Sequence, residues 1–284
     1  NGQGCKPDYV EAAKLFAKSS AQGKAEASYQ LAHSYEFGLG VDQSVKEALE
    51  RYKVAYGQGH TRSLYRIALC YFYGLGVDRD SKKAMETFQK AAKEGLPEAQ
   101  NHLALCYEKG EGVEPDVDNA LYWYRKSAAN EYPPAQNNLA VCYVEGYGVE
   151  KDEKMAVFWY EKAAGHGFAP SQNNLGIRYE KGWGGQRTSH KNAIEWFKRA
   201  AAKKHPVALF YLAEAYDAGN GIEQDKLRAF DFYLASAELG FAPAMNNLAA
   251  YYWSGTGVEK NEKQAISWYI EAAENGEPAA LYNL

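Results

Sequence analysis

The feature that most constrains this chain is a glycine pair that returns at a fixed interval. Its first member stands at Gly38, Gly74, Gly110, Gly146, Gly182, Gly219 and Gly255, and every step is 36 residues except the 37 from Gly182 to Gly219. Its second member follows at Gly40, Gly76, Gly112, Gly148, Gly184, Gly221 and Gly257. A leucine followed by a small residue keeps the same interval at Leu31, Leu103, Leu139, Leu175, Leu212 and Leu248, with Ile67 in the second copy. Self-similarity at such a period marks a solenoid, in which each unit covers the apolar face of its neighbour.

The copy from Pro134 to Gly167 shows what one unit is. Ala135, Leu139, Ala140 and Tyr143 set an apolar helical stripe. Gly146 and Gly148 then end the helix, because glycine adopts positive φ cheaply. A charged turn over Lys151 to Glu153 opens a second stripe of Ala156, Trp159, Tyr160, Ala163 and Ala164, closed by Gly165 and Gly167. Prolines at Pro97, Pro133, Pro134, Pro170, Pro206 and Pro243 sit at helix starts, where a missing N–H costs nothing. The expected organisation is one repeat domain over 1–284. It comprises a partial repeat over 1–24, full repeats over 25–60, 61–96, 97–132, 133–168, 169–205, 206–241 and 242–277, and a partial repeat over 278–284. Gly2-Gln3-Gly4-Cys5 has the form of a turn lacking its first helix, and Ala280 to Leu284 stops halfway along one. The chain is therefore expected to be part of a longer protein whose targeting signals lie elsewhere. Nothing alternates like a strand.

Two sets of small residues predict close helix packing: Ala32, Ala68, Ala104, Ala140, Gly176, Ala213 and Ala249 in the first helix, and Ala55, Ala91, Ala163, Ala200 and Ala272 in the second. Aromatics fill the remaining space, with Tyr35, Tyr71, Tyr107, Tyr143, Tyr179, Tyr216 and Tyr252 facing Tyr52, Phe88, Tyr124, Tyr160, Phe197, Tyr233 and Tyr269. Trp123, Trp159, Trp196 and Trp268 precede four of the latter and read as core.

These residues resemble the Sel1-like repeat, a relative of the tetratricopeptide repeat. The pattern is carried here by Ala135, Leu139, Ala140, Tyr143, Gly146, Gly148, Val149, Ala156, Trp159, Tyr160, Ala163 and Ala164, and it covers essentially the whole chain. The resemblance implies an all-α fold, a right-handed superhelical solenoid of antiparallel helix pairs with the first helices lining a concave face. It also implies a non-enzymatic adaptor or scaffold. The alternative is a structural arm of a larger enzyme or membrane-associated complex, such as ubiquitin-ligase quality control or chitin-synthase activation, with the chemistry outside this chain.

No catalytic signature is present: no G-x-S-x-G, no H-E-x-x-H, no C-x-x-C, and the glycine turns follow helices rather than strands. No cofactor or metal is expected. His102 and Cys106 are spaced i, i+4 but lack a second ligand pair, so they read as a core-edge pair. A formal net charge of −4 without a basic stripe argues against nucleic acid. No apolar run reaches the ~18 residues of a membrane span. Cys70, Cys106 and Cys142 share one position in successive repeats, about 10 Å apart and too far to bridge. Unpaired thiols and the absence of an Asn-x-Ser/Thr sequon point to the cytoplasm. Truncated ends suggest end-to-end self-association.

A partner is therefore sought on the first-helix face. Asn101, Asn137, Asn173 and Asn246 form one row with Tyr65 and Phe210, and carboxamides suit the backbone of an extended peptide. Beside it runs a row of Gln30, Arg66, His102, Asn138, Asn174, Tyr211, Asn247 and Asn283. A further row holds Glu36, Phe72, Glu108, Glu180, Asp217 and Trp253, with Glu26, Glu98, Glu145 and Glu214 nearby. These acids and apolar stations predict a neutral to basic protein or peptide partner with apolar anchors. Against this stands a structural role, with the asparagines tying down adjacent segments. Trp183 breaks the pattern within Gly182-Trp183-Gly184-Gly185, where the valine after the second glycine is missing. It is either an exposed loop anchor for a ligand or a ring folded over the gap.

Overall fold

A Ser, Asp or Asn precedes every second helix of the full repeats, and this residue fixes where the helix begins. In a computed structural model, which describes residues 8–284, the side chains of Ser44, Asp80, Asp116, Asp152, Ser189, Asp225 and Asn261 each accept an N–H three residues on, at 2.9–3.3 Å. These are N-caps, and each occupies a donor that the helix leaves open. The N–H of each cap residue in turn donates to the carbonyl of Tyr35, Tyr71, Tyr107, Tyr143, Tyr179, Tyr216 or Tyr252 at 2.8–3.0 Å. The cap therefore also anchors the turn to the first helix. Repeat five keeps this bond, from Ser189 to Tyr179, despite its extra residue.

The described residues form sixteen helices and no strand. After α1 (Tyr9–Ala21) come α2 (Ala25–Phe37) with α3 (Val45–Gly57), α4 (Arg62–Tyr73) with α5 (Ser81–Lys93), and α6 (Pro97–Lys109) with α7 (Val117–Ala129). They are followed by α8 (Pro133–Glu145) with α9 (Glu153–Gly165), α10 (Ala169–Lys181) with α11 (His190–Ala201), and α12 (Pro206–Ala218) with α13 (Lys226–Glu238). The series ends with α14 (Ala242–Ser254), α15 (Glu262–Glu274) and the short α16 (Pro278–Asn283). This is the solenoid of helix pairs that the period predicts. The expected turn at Gly2 to Cys5 lies outside the described residues. Two compact units divide inside α8, one ending at Ala135 and the other beginning at Gln136.

The two glycines of each turn do different work. Gly74 ends α4 in the left-handed conformation, φ +72°, its N–H returning to the Cys70 carbonyl. Gly112 has φ +75°, but its decisive property is space: a Cβ there would stand 2.2 Å from the Ser81 carbonyl oxygen, at the start of the preceding repeat's second helix. Backbone meets backbone at this point, and no side chain fits between.

The core follows the two small-residue rows. Ala32, Ala68, Ala104, Ala140, Ala213 and Ala249 are fully buried, as are Ala55, Ala91, Ala163, Ala200 and Ala272. At Gly176 even a methyl group is excluded, because a Cβ would meet the Phe197 ring at 2.4 Å. The second-helix aromatics are all buried, from Tyr52 to Tyr269. Trp123 is buried with them, whereas Trp159, Trp196 and Trp268 are half-buried. Ser127 and Ser236 replace the second-row alanine and donate to the carbonyls of Pro97 and Pro206, at 2.7 and 2.8 Å.

Cys70, Cys106 and Cys142 are buried and unbridged. Burial pushes the Cys70 thiol up to about 11 and the Cys106 thiol up to about 12. Burial raises the Tyr160 phenol in the same way, to about 12.

Two outcomes are expected. Gly112→Ala and Gly95→Ala both place a side chain at positive φ, but nothing lies within 4 Å of the Cβ position at Gly95. The Gly95 variant should lose about 1–2 kcal/mol, and Gly112→Ala clearly more, read as a larger fall in the urea midpoint. Equal losses would deny the close approach. Second, these thiols and phenols titrate higher folded than unfolded, where a cysteine ionises near about 8.5. Their stabilisation is complete below that pH and is lost as pH rises toward the folded values. The urea midpoint should hold to about pH 8 and then fall steadily above about pH 9. A midpoint unchanged on further alkalinisation would contradict the burial.

Candidate functional site

The polar rows of the first helices hold the repeats to one another. In the first unit, Glu36 accepts from the Tyr52 hydroxyl at 2.6 Å and from the Arg66 guanidinium of the next repeat. Glu108 accepts from Tyr124 in the same manner. Where the second helix carries Phe88 instead of tyrosine, the first carries Phe72, and the two rings meet edge-on at 6.0 Å. Arg62 pairs with Glu98 and Arg79 with Glu111, each reaching one repeat onward. Tyr65 is half-buried, 6.0 Å from Phe88 and 5.4 Å from the His102 ring. His102 itself stacks on Phe88, and burial lowers its pKa. Among the described residues, no three metal-ligating side chains gather.

Two of the asparagines belong to the same scheme. Asn101 and Asn173 are only 4% exposed, so neither offers its carboxamide to a peptide laid on the surface. In the second unit, Asn137 Oδ1 accepts from Ser171 Oγ at 2.9 Å and lies 3.4 Å from Asn174 Nδ2. Asn246 Oδ1 accepts from Asn283 Nδ2 at 2.9 Å. Side chains of adjacent rows, in neighbouring repeats, reach each other, and a carboxamide can both donate and accept there. Phe210 is also internal, 5.2 Å from Phe241 and 5.9 Å from Tyr233. Trp253 is half exposed beside the Lys260 ammonium.

Of the residues in the predicted rows, Glu180, Asp217, Glu214, Tyr211 and Asn247 come together at one cleft, a cavity of about 350 Å³ in the second unit. Its walls are aromatic: Phe197 and Tyr211 stack at 4.8 Å and 10°, and Tyr233 lies beyond. Glu180, Glu214 and Asp217 ring it together with Lys181 and Asn247. His190 Nδ1 lies 3.0 Å from Glu180, and Lys226 at 2.7 Å and the Tyr251 hydroxyl occupy Asp217. Glu214 makes no hydrogen bond or ion pair with any described residue. Although the residue as a whole is exposed, its carboxyl is pushed up by burial, with Lys181 opposing and Glu180 and Asp217 adding to the rise. Glu214 thus shares the cleft with aromatic faces, and both kinds of group attract a cation. Tyr211 and Asn247 stand in the neighbouring row, and their equivalents in other repeats differ in size and polarity, so the sequence holds no sign of the cavity they enclose.

One residue breaks the pattern more sharply than Trp183 does. Arg178 occupies the position that holds Ser34, Cys70, Cys106, Cys142, Ala215 and Tyr251 elsewhere. It is 5% exposed, with its guanidinium 5.5 Å from the Tyr160 ring centre and 5.2 Å from that of Trp183. Trp183, 46% exposed, thus lies over an arginine. A charge at a position that is otherwise uncharged was the available signal.

The Sel1 repeat model matches residues 1–24, 25–60, 61–96, 97–132, 133–168, 169–205, 206–241 and 242–277. The chain belongs to the Sel1 repeat family. Members of this family are commonly protein-interaction scaffolds and typically non-catalytic. Among solved structures it is similar to c5321, a protective antigen present in uropathogenic Escherichia coli strains displaying an SLR fold. The identity is 30% over 96% of this chain and 58% of that chain, with a TM-score of 0.77. A Sel1 repeat protein from Oxalobacter formigenes matches at 29% identity over 99% of this chain and 81% of that one, TM-score 0.73. Immunity protein Pa5087 from Pseudomonas aeruginosa, at 20% identity over 78% of this chain and 83% of that one, TM-score 0.53, shares the fold. This Sel1 chain thus spans 58% of the length of the E. coli structure. No curated protein matches it.

If the asparagines are inter-repeat ties, Asn137→Ala should destabilise the protein even without a ligand. Removing the acceptor leaves the buried Ser171 hydroxyl without this bond, and such a loss costs about 1–3 kcal/mol. The urea midpoint measures it. An unchanged midpoint would return Asn137 to the list of ligand contacts.

Proposed function

We propose that this Sel1 repeat chain is a non-enzymatic adaptor that binds an extended, neutral to basic segment of a partner protein. A lysine or arginine of that segment sits in the cleft of Phe197, Tyr211 and Tyr233 beneath Glu214. The observation that carries this is Glu214, an acidic side chain left unpaired where nearly every other first-helix acid has an internal partner. A cation over an aromatic face gains about 0.5–2 kcal/mol, more as water is excluded. The volume of about 350 Å³ suits one long side chain rather than a folded surface. Apolar anchors of the partner find Trp253 and Tyr73 exposed on first helices, and Trp253 is the one nearer in sequence to the cleft. Three unbridged thiols support a reducing compartment such as the cytoplasm.

The test is an array of short peptides of varied charge, probed with the purified chain and followed by titration of the strongest binder. Peptides combining lysine or arginine with an aromatic or aliphatic residue should be retained. Glu214→Gln should weaken them about 3- to 30-fold, in line with a charge-assisted contact. Binding should also fail on acidification earlier than an ordinary glutamate would predict, because the Glu214 carboxyl takes up its proton at a raised pH. Retention of basic peptides that is unchanged in Glu214→Gln would overturn the assignment.

A further inference from the structure

Arginine is among the residues least often buried without full pairing. Arg178 is buried, yet the one acid within ion-pair distance is Glu153, whose Oε2 stands 3.4 Å from Nε. That distance lies within ion-pair range, but neither Nε nor Oε2 makes a hydrogen bond. A guanidinium offers five N–H donors in a planar fork. Here the fork is held flat by rings, with Tyr160 and Trp183 each within 6 Å of its carbon. Arg178 also lines a second cleft, together with Lys151, Asn174, Glu145, Val144 and Trp183. Neither terminal nitrogen of Arg178 makes a hydrogen bond or ion pair with a described residue.

From this geometry we infer that the Arg178 cleft is a binding site for a carboxylate, presented by an acidic side chain or by the C-terminus of a peptide. A carboxylate matches the fork in a bidentate pair, which a spherical anion does not. Asn174 and Lys151 provide further donors on the same wall. The pair with Glu153 leaves room for this. Glu153 engages only the Nε edge, so the ligand takes the terminal nitrogens while Glu153 keeps the fork neutral in the empty site. Lys151 offsets Glu145, so an entering carboxylate meets no net negative charge beyond its own. Trp183 is the cover of the site: half exposed, over the guanidinium, on a turn one residue longer than its counterparts. A carboxylate differs from the neutral to basic partner that the acidic rows predict. One desolvated arginine on an aromatic support receives it.

This site is independent of the cationic cleft on the other side of Glu180, and the test separates the two. The whole chain is titrated with N-acetylglycine, which presents a terminal carboxylate, and with N-acetylglutamate diamide's parent monoamide, N-acetylglutamic acid α-amide, which presents a side-chain carboxylate. The readout is the indole N–H resonance of Trp183, assigned by a Trp183→Phe variant. At least one probe should move that resonance saturably, and whichever binds more tightly names the source. Arg178→Lys should weaken it about tenfold or more, because an ammonium cannot form the bidentate pair. Arg178→Cys combined with Glu153→Gln restores the residue type found at this position in three other repeats and should abolish the response while remaining folded. N-acetylarginine amide, the cationic control, should leave Trp183 unmoved. Absence of a saturable shift with both carboxylates would overturn the inference, as would an equal response in the Cys/Gln variant or tighter binding of inorganic phosphate. A failed peptide array leaves this result intact, so the two readings fall separately.

Discussion

The repeats depend on one close approach, that of the second turn glycine to the first residues of the preceding second helix. At Gly112 the space left is smaller than a methyl group, and the same holds at Gly76 and Gly257. This contact sets how near one helix pair lies to the next, and the alanine rows follow from it. Buried alanines leave helices close enough for Tyr52, Phe88 and Tyr124 to fill the layer completely, each at 1% exposure or less. The N-caps add the other fixed point. Each cap residue orders its own helix and returns its N–H to the tyrosine carbonyl of the first helix. Together they hold the turn at both ends, which explains how repeat five accepts an extra residue without losing its register.

The fold was legible because these constraints recur, and a period of 36 residues is hard to produce by anything else. Helix starts at Ala25, Pro97, Pro133, Ala169, Pro206 and Ala242 fall where the sequence places them. The cap residues were equally visible, since Ser, Asp or Asn stands at that position in all seven copies. The site was less legible for a physical reason. A row of residues spaced by one repeat can face a ligand or can face its own neighbours, and the spacing alone does not distinguish them. Here the neighbours win: Asn137 reaches Ser171, Asn246 reaches Asn283, and Glu36 reaches Arg66. One trace of this was present in the sequence. In the first three full repeats Glu36 and Glu108 face Tyr52 and Tyr124 whereas Phe72 faces Phe88, so there the acid appears where a hydroxyl needs an acceptor, a pairing that Val144 with Tyr160 and Glu180 with Phe197 do not keep.

Such internal use of charge changes how the acidic rows are read. Exposed ion pairs contribute little to stability, about 0–1 kcal/mol, but they do remove carboxylates from the reach of a partner. Once Glu36, Glu98, Glu108, Glu180 and Asp217 are assigned to Arg66, Arg62, Tyr124, His190 and Lys226, the acidic surface contracts to a few groups. Glu214 stands out among them because it shares a cleft with Phe197, Tyr211 and Tyr233 and has no internal partner. Recognition as proposed above is accordingly local, one side chain at one cleft, rather than a diffuse attraction along an acidic row.

The exceptional repeat is informative for the same reason. A solenoid position that otherwise holds serine, cysteine, alanine or tyrosine is mostly desolvated and uncharged, and placing arginine there buries a guanidinium. Losing one partner of a buried charge pair costs about 3–5 kcal/mol, so Arg178 persists only with compensation. Glu153 supplies the charge, and Tyr160 and Trp183 supply the faces. Gly176 lies two residues away on the same helix and is the only non-alanine of its row, with Phe197 pressed against it. Phe197 continues into the stack with Tyr211 that walls the cationic cleft. The departures of repeat five therefore lie close together, Gly176 and Arg178 on α10 and Trp183 in the turn that follows, with Phe197 of α11 pressed against Gly176. The same helix carries Arg178, which lines one cleft, and Glu180, which lines the other.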